Sequence, residues 1–148
     1  MNQHNSASSL YDLDREQWLS KTIDCLKHNR LEELDQQHLI EELEELGRRE
    51  KKSVERFLEQ IIRHLLLLQY WHSESEYNAN HWKAEIMSFR GQLNEDLTQN
   101  LQNHLQENQA NIYVKALNYV RQKTGYTVQF PEECPYSLEQ LLAMNWLP

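Results

Sequence analysis

His64 is the side chain in this sequence best placed to do chemistry. It follows Ile61 by three residues and Phe57 by seven, spacings that return to one face of a helix, so its imidazole points into an apolar stripe. A buried imidazole must be hydrogen-bonded or ligating. In the first case it donates to a backbone carbonyl or to a glutamate of a neighbouring helix. In the second, partners such as His72, His81, Glu42 or Glu45 would have to converge about 2.0–2.2 Å from a metal ion. The sequence contains neither the Glu-x-x-His pair of di-iron bundles nor a His-Glu-x-x-His segment, so no established ligand pattern supports the metal, and the core histidine is preferred.

Three further groups could carry chemistry. Glu41, Glu42, Glu44 and Glu45 share helix faces at spacings of three and four, so Glu41 with Glu45, or Glu42 with Glu45, could hold magnesium or act as an acid and base pair. Arg48 and Arg49 follow closely, however, and offer these carboxylates ordinary salt-bridge partners on a solvated face. Cys134 sits between Glu133 and Pro135, and neighbouring carboxylates would raise its pKa rather than activate the thiol. Tyr70, Trp71, Tyr77 and Trp82 flank a turn. They read either as the core ends of a helical hairpin or, where exposed, as a patch that anchors a protein partner. With glycine only at positions 47, 91 and 125 there is no phosphate-cradling loop, and no catalytic residue or cofactor is indicated.

The elements that must position these groups are helices. Asp12 or Asp14 can cap a first one, whose apolar side is Trp18, Leu19, Thr22, Ile23, Cys25 and Leu26, with Asn29 as its stop. Residues 35–71 form the dominant element, with apolar positions from Leu39, Leu43 and Leu46 through Val54, Leu58 and Ile61 to Leu68. Leu43 to Val54 and Leu46 to Phe57 are eleven residues apart, so the stripe keeps its phase across Gly47. At 1.5 Å per residue this helix would be about 55 Å long, whereas a compact domain of this size is about 38 Å across. Either Gly47 kinks it into two packed halves, which is the preferred expectation, or an exposed end pairs with another subunit. Gly47 lies in the stripe, where the missing side chain would let another helix approach closely. On the opposite side Glu44 with Arg48, Glu45 with Arg49 and Glu59 with Arg63 stand at i,i+4 in the favourable order.

A polar break at residues 73–80 separates this element from a third helix marked by Trp82, Ile86, Phe89, Leu93 and Leu97. Thr98 can cap a fourth, which carries Leu101 to Val120 and stops at Thr124 and Gly125. Beyond it come a short extended piece at residues 128–130, a proline-bounded turn at 131–135 and one or two helical turns at 137–143, with Ser137 and Gln140 as a capping box. Trp146 and Leu147 are expected to plug the bundle. The chain therefore reads as an all-α bundle of about four main helices with a short C-terminal helix and an extended tail, one domain over residues 10–148 behind a disordered tail at 1–9.

The segments at residues 39–54 (LIEELEELGRREKKSV), 64–71 (HLLLLQYW) and 130–148 (FPEECPYSLEQLLAMNWLP), together with Trp82, resemble the bacterial family catalogued as domain of unknown function number 29. The resemblance runs from about residue 10 to residue 148. It implies a compact helical protein and carries no activity, substrate or catalytic residue over to these positions.

Charge and composition narrow the function further. Fifteen Lys and Arg against 23 Asp and Glu leave the 148-residue chain at -8, which disfavours nucleic acid and anionic lipid. The one basic cluster, Arg48, Arg49, Lys51 and Lys52, is offset by the glutamates before it. The longest aliphatic run, 65–68, cannot span a bilayer and residues 1–9 lack a secretory leader's apolar core, so no membrane contact is expected. Cys25 and Cys134 have no metal or redox spacing and read as reduced thiols of a cytoplasmic protein. The function indicated is a module that binds a protein partner or itself, with Gly47, Tyr70, Trp71, Tyr77 and Trp82 as its candidate interface. The alternative is a metal-binding or metal-dependent enzyme built on His64, Glu42 and Glu45.

Overall fold

A computed structural model describes residues 10–148. The expected tail at 1–9 lies outside the described residues. The fold is all-α: 79% of it is helix, four of the helices are long, and no strand occurs among the described residues. In chain order the elements are α1 (Arg15–Lys27), a 3-10 turn (Leu31–Glu33), α2 (Gln36–Tyr70), α3 (His72–Asp96), α4 (Gln99–Lys123) and α5 (Leu138–Leu142). They fall into two compact units, one ending at Arg49 and the other Glu50–Pro148.

The ends of the helices follow the local chemistry read from the sequence. Asp14 caps α1 by accepting from the Gln17 amide, Thr98 caps α4 through Leu101, and Ser137 with Gln140 forms the capping box of α5. Asn29 and Gly125 take positive φ just past α1 and α4, the left-handed turn that stops a helix.

Two boundaries differ from expectation. Gly47 does not divide α2, which remains one 35-residue helix, and among the described residues nothing lies within 4 Å of where a Cβ at Gly47 would be, so none of their helices exploits the missing side chain. The polar stretch 73–80 is no break either. α3 begins at His72, and the chain reverses at Trp71 alone, whose carbonyl accepts from Glu74 and Ser75. None of those residues is buried, so a polar sequence suits this end of the helix, and with no glycine or proline in α3 before Gly91 nothing stops the helix forming.

In the unit ending at Arg49, α1 buries Trp18, Thr22 and Cys25. The Trp18 indole and the His38 ring both bond the Asp35 carboxylate, at 3.1 and 2.6 Å, and Tyr11 stacks on His38 at 3.8 Å. Burial opposes ionisation of Asp35, but the bonds from His38 and Trp18 outweigh it and hold its pKa below the usual value.

In the second unit the core is a four-way packing of α2 (Val54, Leu58, Ile61, Ile62, Leu65), α3 (Trp82, Ile86, Leu93), α4 (Leu105, Ile112, Ala116, Val120) and the C-terminal segment (Phe130, Tyr136, Leu138, Leu141). That segment is tied down by side chains from three helices. The Tyr136 hydroxyl donates to Gln69 at 2.7 Å, Tyr113 donates to the Pro131 carbonyl, and Gln109 donates to the Tyr136 carbonyl at 2.9 Å. Burial pushes the hydroxyl pKa values of Tyr113 and Tyr136 far above 10, so both stay neutral donors. Trp146 packs edge-on against Tyr136 as part of this arrangement. Leu147, expected beside it in the plug, stays 39% exposed.

The strongest tie is Arg90. Its Nε, Nη1 and Nη2 donate to the carbonyls of Leu141, Trp146 and Gln140 at 2.8, 2.7 and 2.9 Å. No carboxylate pairs with it among the described residues; the charge is met instead by the negative end of α5 and the turn after it. Burial lowers the pKa of the guanidinium from 12.5, and it stays protonated because arginine does not titrate near neutrality.

Candidate functional site

The second unit carries a cleft of about 330 Å3, within the size range of small-ligand sites. α2 contributes Arg63, His64 and Leu67, the turn contributes Trp71, α3 contributes Glu74, Asn78, His81 and Trp82, and α4 contributes Tyr119 and Lys123. They converge because 63, 64, 67 and 71 lie along one side of α2, while 74, 78 and 81 recur at helical spacing on α3. The Arg63 guanidinium lies 3.7 Å over the Tyr119 ring and pairs with Glu59. Lys123 sits 5.8 Å from the same ring. Trp71 and Trp82 stack at 6.1 Å on the apolar side of the cleft.

His64 donates from Nδ1 to the Gln60 carbonyl at 2.6 Å, the first of the two roles expected for it. That bond fixes the tautomer and leaves Nε2 as a free acceptor at the cleft wall. The pKa of His64 is lowered, chiefly by burial, with His81 and Lys123 acting in the same direction; the Gln60 bond and Glu85 oppose them. The unfolded chain therefore takes up this proton more readily. Stability linked to His64 is complete above its ordinary value of 6.5 and falls as pH drops below it toward the lower folded-state value. His64→Gln is expected to remove this component. In urea unfolding at about pH 7.5 and about pH 5.5, wild type should lose more stability on acidification than the variant. Equal losses would show that His64 titrates alike in the folded and unfolded chains. Asp24, Asp35 and Glu45, whose pKa values are all lowered, add acid sensitivity to both proteins alike and cancel in the comparison.

The other residues singled out by sequence are dispersed. Glu42 accepts from Tyr11 and from Arg15. Glu45 holds Arg48 at 2.9 Å and Arg49 at 3.2 Å. Both are taken up as ion-pair and hydrogen-bond acceptors, and no group of three His, Cys, Asp or Glu able to hold a metal occurs among the described residues. All three anticipated i,i+4 pairs form. The Cys134 thiol has a raised pKa, as anticipated, but through burial rather than through Glu132 and Glu133; its bonds with the Tyr136 carbonyl and Gln109 act the other way. In the aromatic group Trp82 belongs to the core, Tyr70 and Trp71 are half-buried against it, and only Tyr77 stands out in solvent.

The apolar stripe at the start of α2 is exposed, as in the second of the two arrangements the length of the helix suggested. Leu43 is 58% and Leu46 52% exposed, and Ile40 beside them is open as well. In α1, Leu19, Ile23 and Leu26 are similarly exposed, one position along from the buried Trp18, Thr22 and Cys25. Periodicity identifies the apolar face of a helix but not whether the chain supplies something to cover it.

Neither the curated proteins nor the solved structures yield a match to this chain. One family model does match, over residues 10–147, a span that takes in the α1 and α2 faces, the cleft and the Arg90-bound C-terminal segment. The chain belongs to the family described as domain of unknown function DUF29.

Proposed function

We propose that this protein is a self-associating helical module whose contact is the N-terminal part of α2 around Gly47. The observation that carries the reading is the exposed apolar stripe Ile40, Leu43 and Leu46 beside a glycine with open space over it. Burying each of these half-exposed side chains contributes about 1 kcal/mol. The charge order along the helix selects a second copy of the chain as partner. Glu44 and Glu45 precede Leu46 and Gly47, and Arg48 and Arg49 follow. An antiparallel crossing of two such helices sets Leu46 over the partner's Gly47 and runs the acidic half of one helix beside the basic half of the other, these charges lying outside the apolar seam. A parallel crossing opposes like charges. The antiparallel contact is isologous, the kind that closes a twofold dimer. The intrachain pairs of Glu45 are exposed and worth at most about 1 kcal/mol, so they exchange for intermolecular ones readily.

Light scattering tests this directly. The wild-type chain is expected at twice its 17.9 kDa, and Leu43→Glu with Leu46→Glu at the monomer mass with unchanged helicity. A chain with Glu44→Lys and Glu45→Lys should associate only when mixed with one carrying Arg48→Glu and Arg49→Glu. A wild-type monomer at every concentration, or a dimer indifferent to all these changes, would overturn the proposal.

A further inference from the structure

We propose that the cleft between α2, α3 and α4 binds a small organic anion, its carboxylate or phosphate head held by Lys123 and Arg63 and its flat apolar body against Trp71. This is independent of self-association. The protein as a whole is acidic, at -8, yet two cations, Arg63 and Lys123, line this cleft near one aromatic ring. Two like charges lining one concave site favour an anion there, because the field is focused.

The local carboxylates do not fill that role. Glu59 pairs with one end of Arg63, leaving the buried Arg63 Nε with no hydrogen-bond partner. Glu74 on the far wall accepts from the Asn78 amide at 3.2 Å. His64 contributes a neutral acceptor and His81 lies beside it along the wall. An anionic head therefore meets Lys123 and Arg63 as donors, while the indole of Trp71, stacked on the buried Trp82, offers a face to a planar body.

The test is an NMR titration of the full chain with benzoate and, separately, with inorganic phosphate. Saturable shifts of the His64 and His81 ring signals and of Tyr119 are expected with at least one anion at up to about 10 mM. Lys123→Gln should weaken that binding by about tenfold, since it removes a charge-assisted bond, while Lys83→Gln, on the exposed side of α3, should leave it unchanged. Preference for benzoate would identify a planar carboxylate as the ligand class, and preference for phosphate a phosphoryl head; either supports the site. Absence of saturable shifts with both anions, or equal weakening by Lys123→Gln and Lys83→Gln, would overturn it.

Discussion

Arg90→Ala is expected to lower the unfolding free energy by about 3–5 kcal/mol, a large share of the stability of a small domain. Arg90 is 1% exposed, and its three donors satisfy the carbonyls of Gln140, Leu141 and Trp146. Removing it leaves these acceptors without their donor inside the protein, each costing about 1–3 kcal/mol if left unpaired, and opens a cavity the size of the side chain. Arg90→Lys keeps the charge but not the three-pronged fork, and should recover only part of the loss. Arg90→Met fills the space without donating, so it should behave like alanine more than like lysine. Asn94→Ala, which removes an exposed donor to the Leu142 carbonyl, should cost less than about 1 kcal/mol. Urea unfolding followed by circular dichroism measures all four. A loss below about 1 kcal/mol for Arg90→Ala would mean that the carbonyls find water instead, and that the C-terminal segment is held by Tyr136, Gln109 and Tyr113 alone.

Trp82→Ala should destabilise the protein by about 3–5 kcal/mol, while Tyr77→Ala changes stability by no more than about 0.5 kcal/mol. Both belong to the aromatic group that the sequence offered as an interface. Trp82 is 5% exposed and stacks on Trp71, whereas Tyr77 is 82% exposed. The two residues are five apart on α3, which turns them to different sides of the helix. Trp82→Phe keeps part of the packing and should fall between the two. Unfolding curves give the comparison, and light scattering on the same samples asks whether either change alters association. If Tyr77→Ala abolished a dimer that Leu43→Glu with Leu46→Glu left intact, the contact would lie at the turn after α2 rather than around Gly47.

The cleft and the α2 face call for different readouts. Lys123→Gln should change anion binding and leave mass unaltered, and Leu46→Glu should do the reverse. His64 belongs to the cleft wall but its main measurable effect is on stability, because its Nδ1 proton is committed to the Gln60 carbonyl.

What the sequence determined by itself is what a helix decides within one or two turns. The caps at Asp14 (one of the two aspartates offered for it), Thr98 and Ser137, the stops at Asn29 and Gly125, and the pairs Glu44–Arg48, Glu45–Arg49 and Glu59–Arg63 formed, because each rests on residues three or four apart. The bond of His64 to a backbone carbonyl, one of the readings open from the sequence, is equally local, its partner being Gln60 one turn away. The polar segment 73–80 was misread because polarity reports solvent, not backbone conformation. Tertiary structure decided the rest. Arg90 does stand in the stripe of Trp82, Ile86, Leu93 and Leu97, a charge at a core position, which is the one local sign that it had a task. Its partners lie 50, 51 and 56 residues away, and nothing in a helical period encodes which carbonyls the chain will bring back to meet it. The same holds for the cleft, which takes residues from three helices, and for Leu43 and Leu46. Their spacing made them apolar-face residues, and only the packing left that face open.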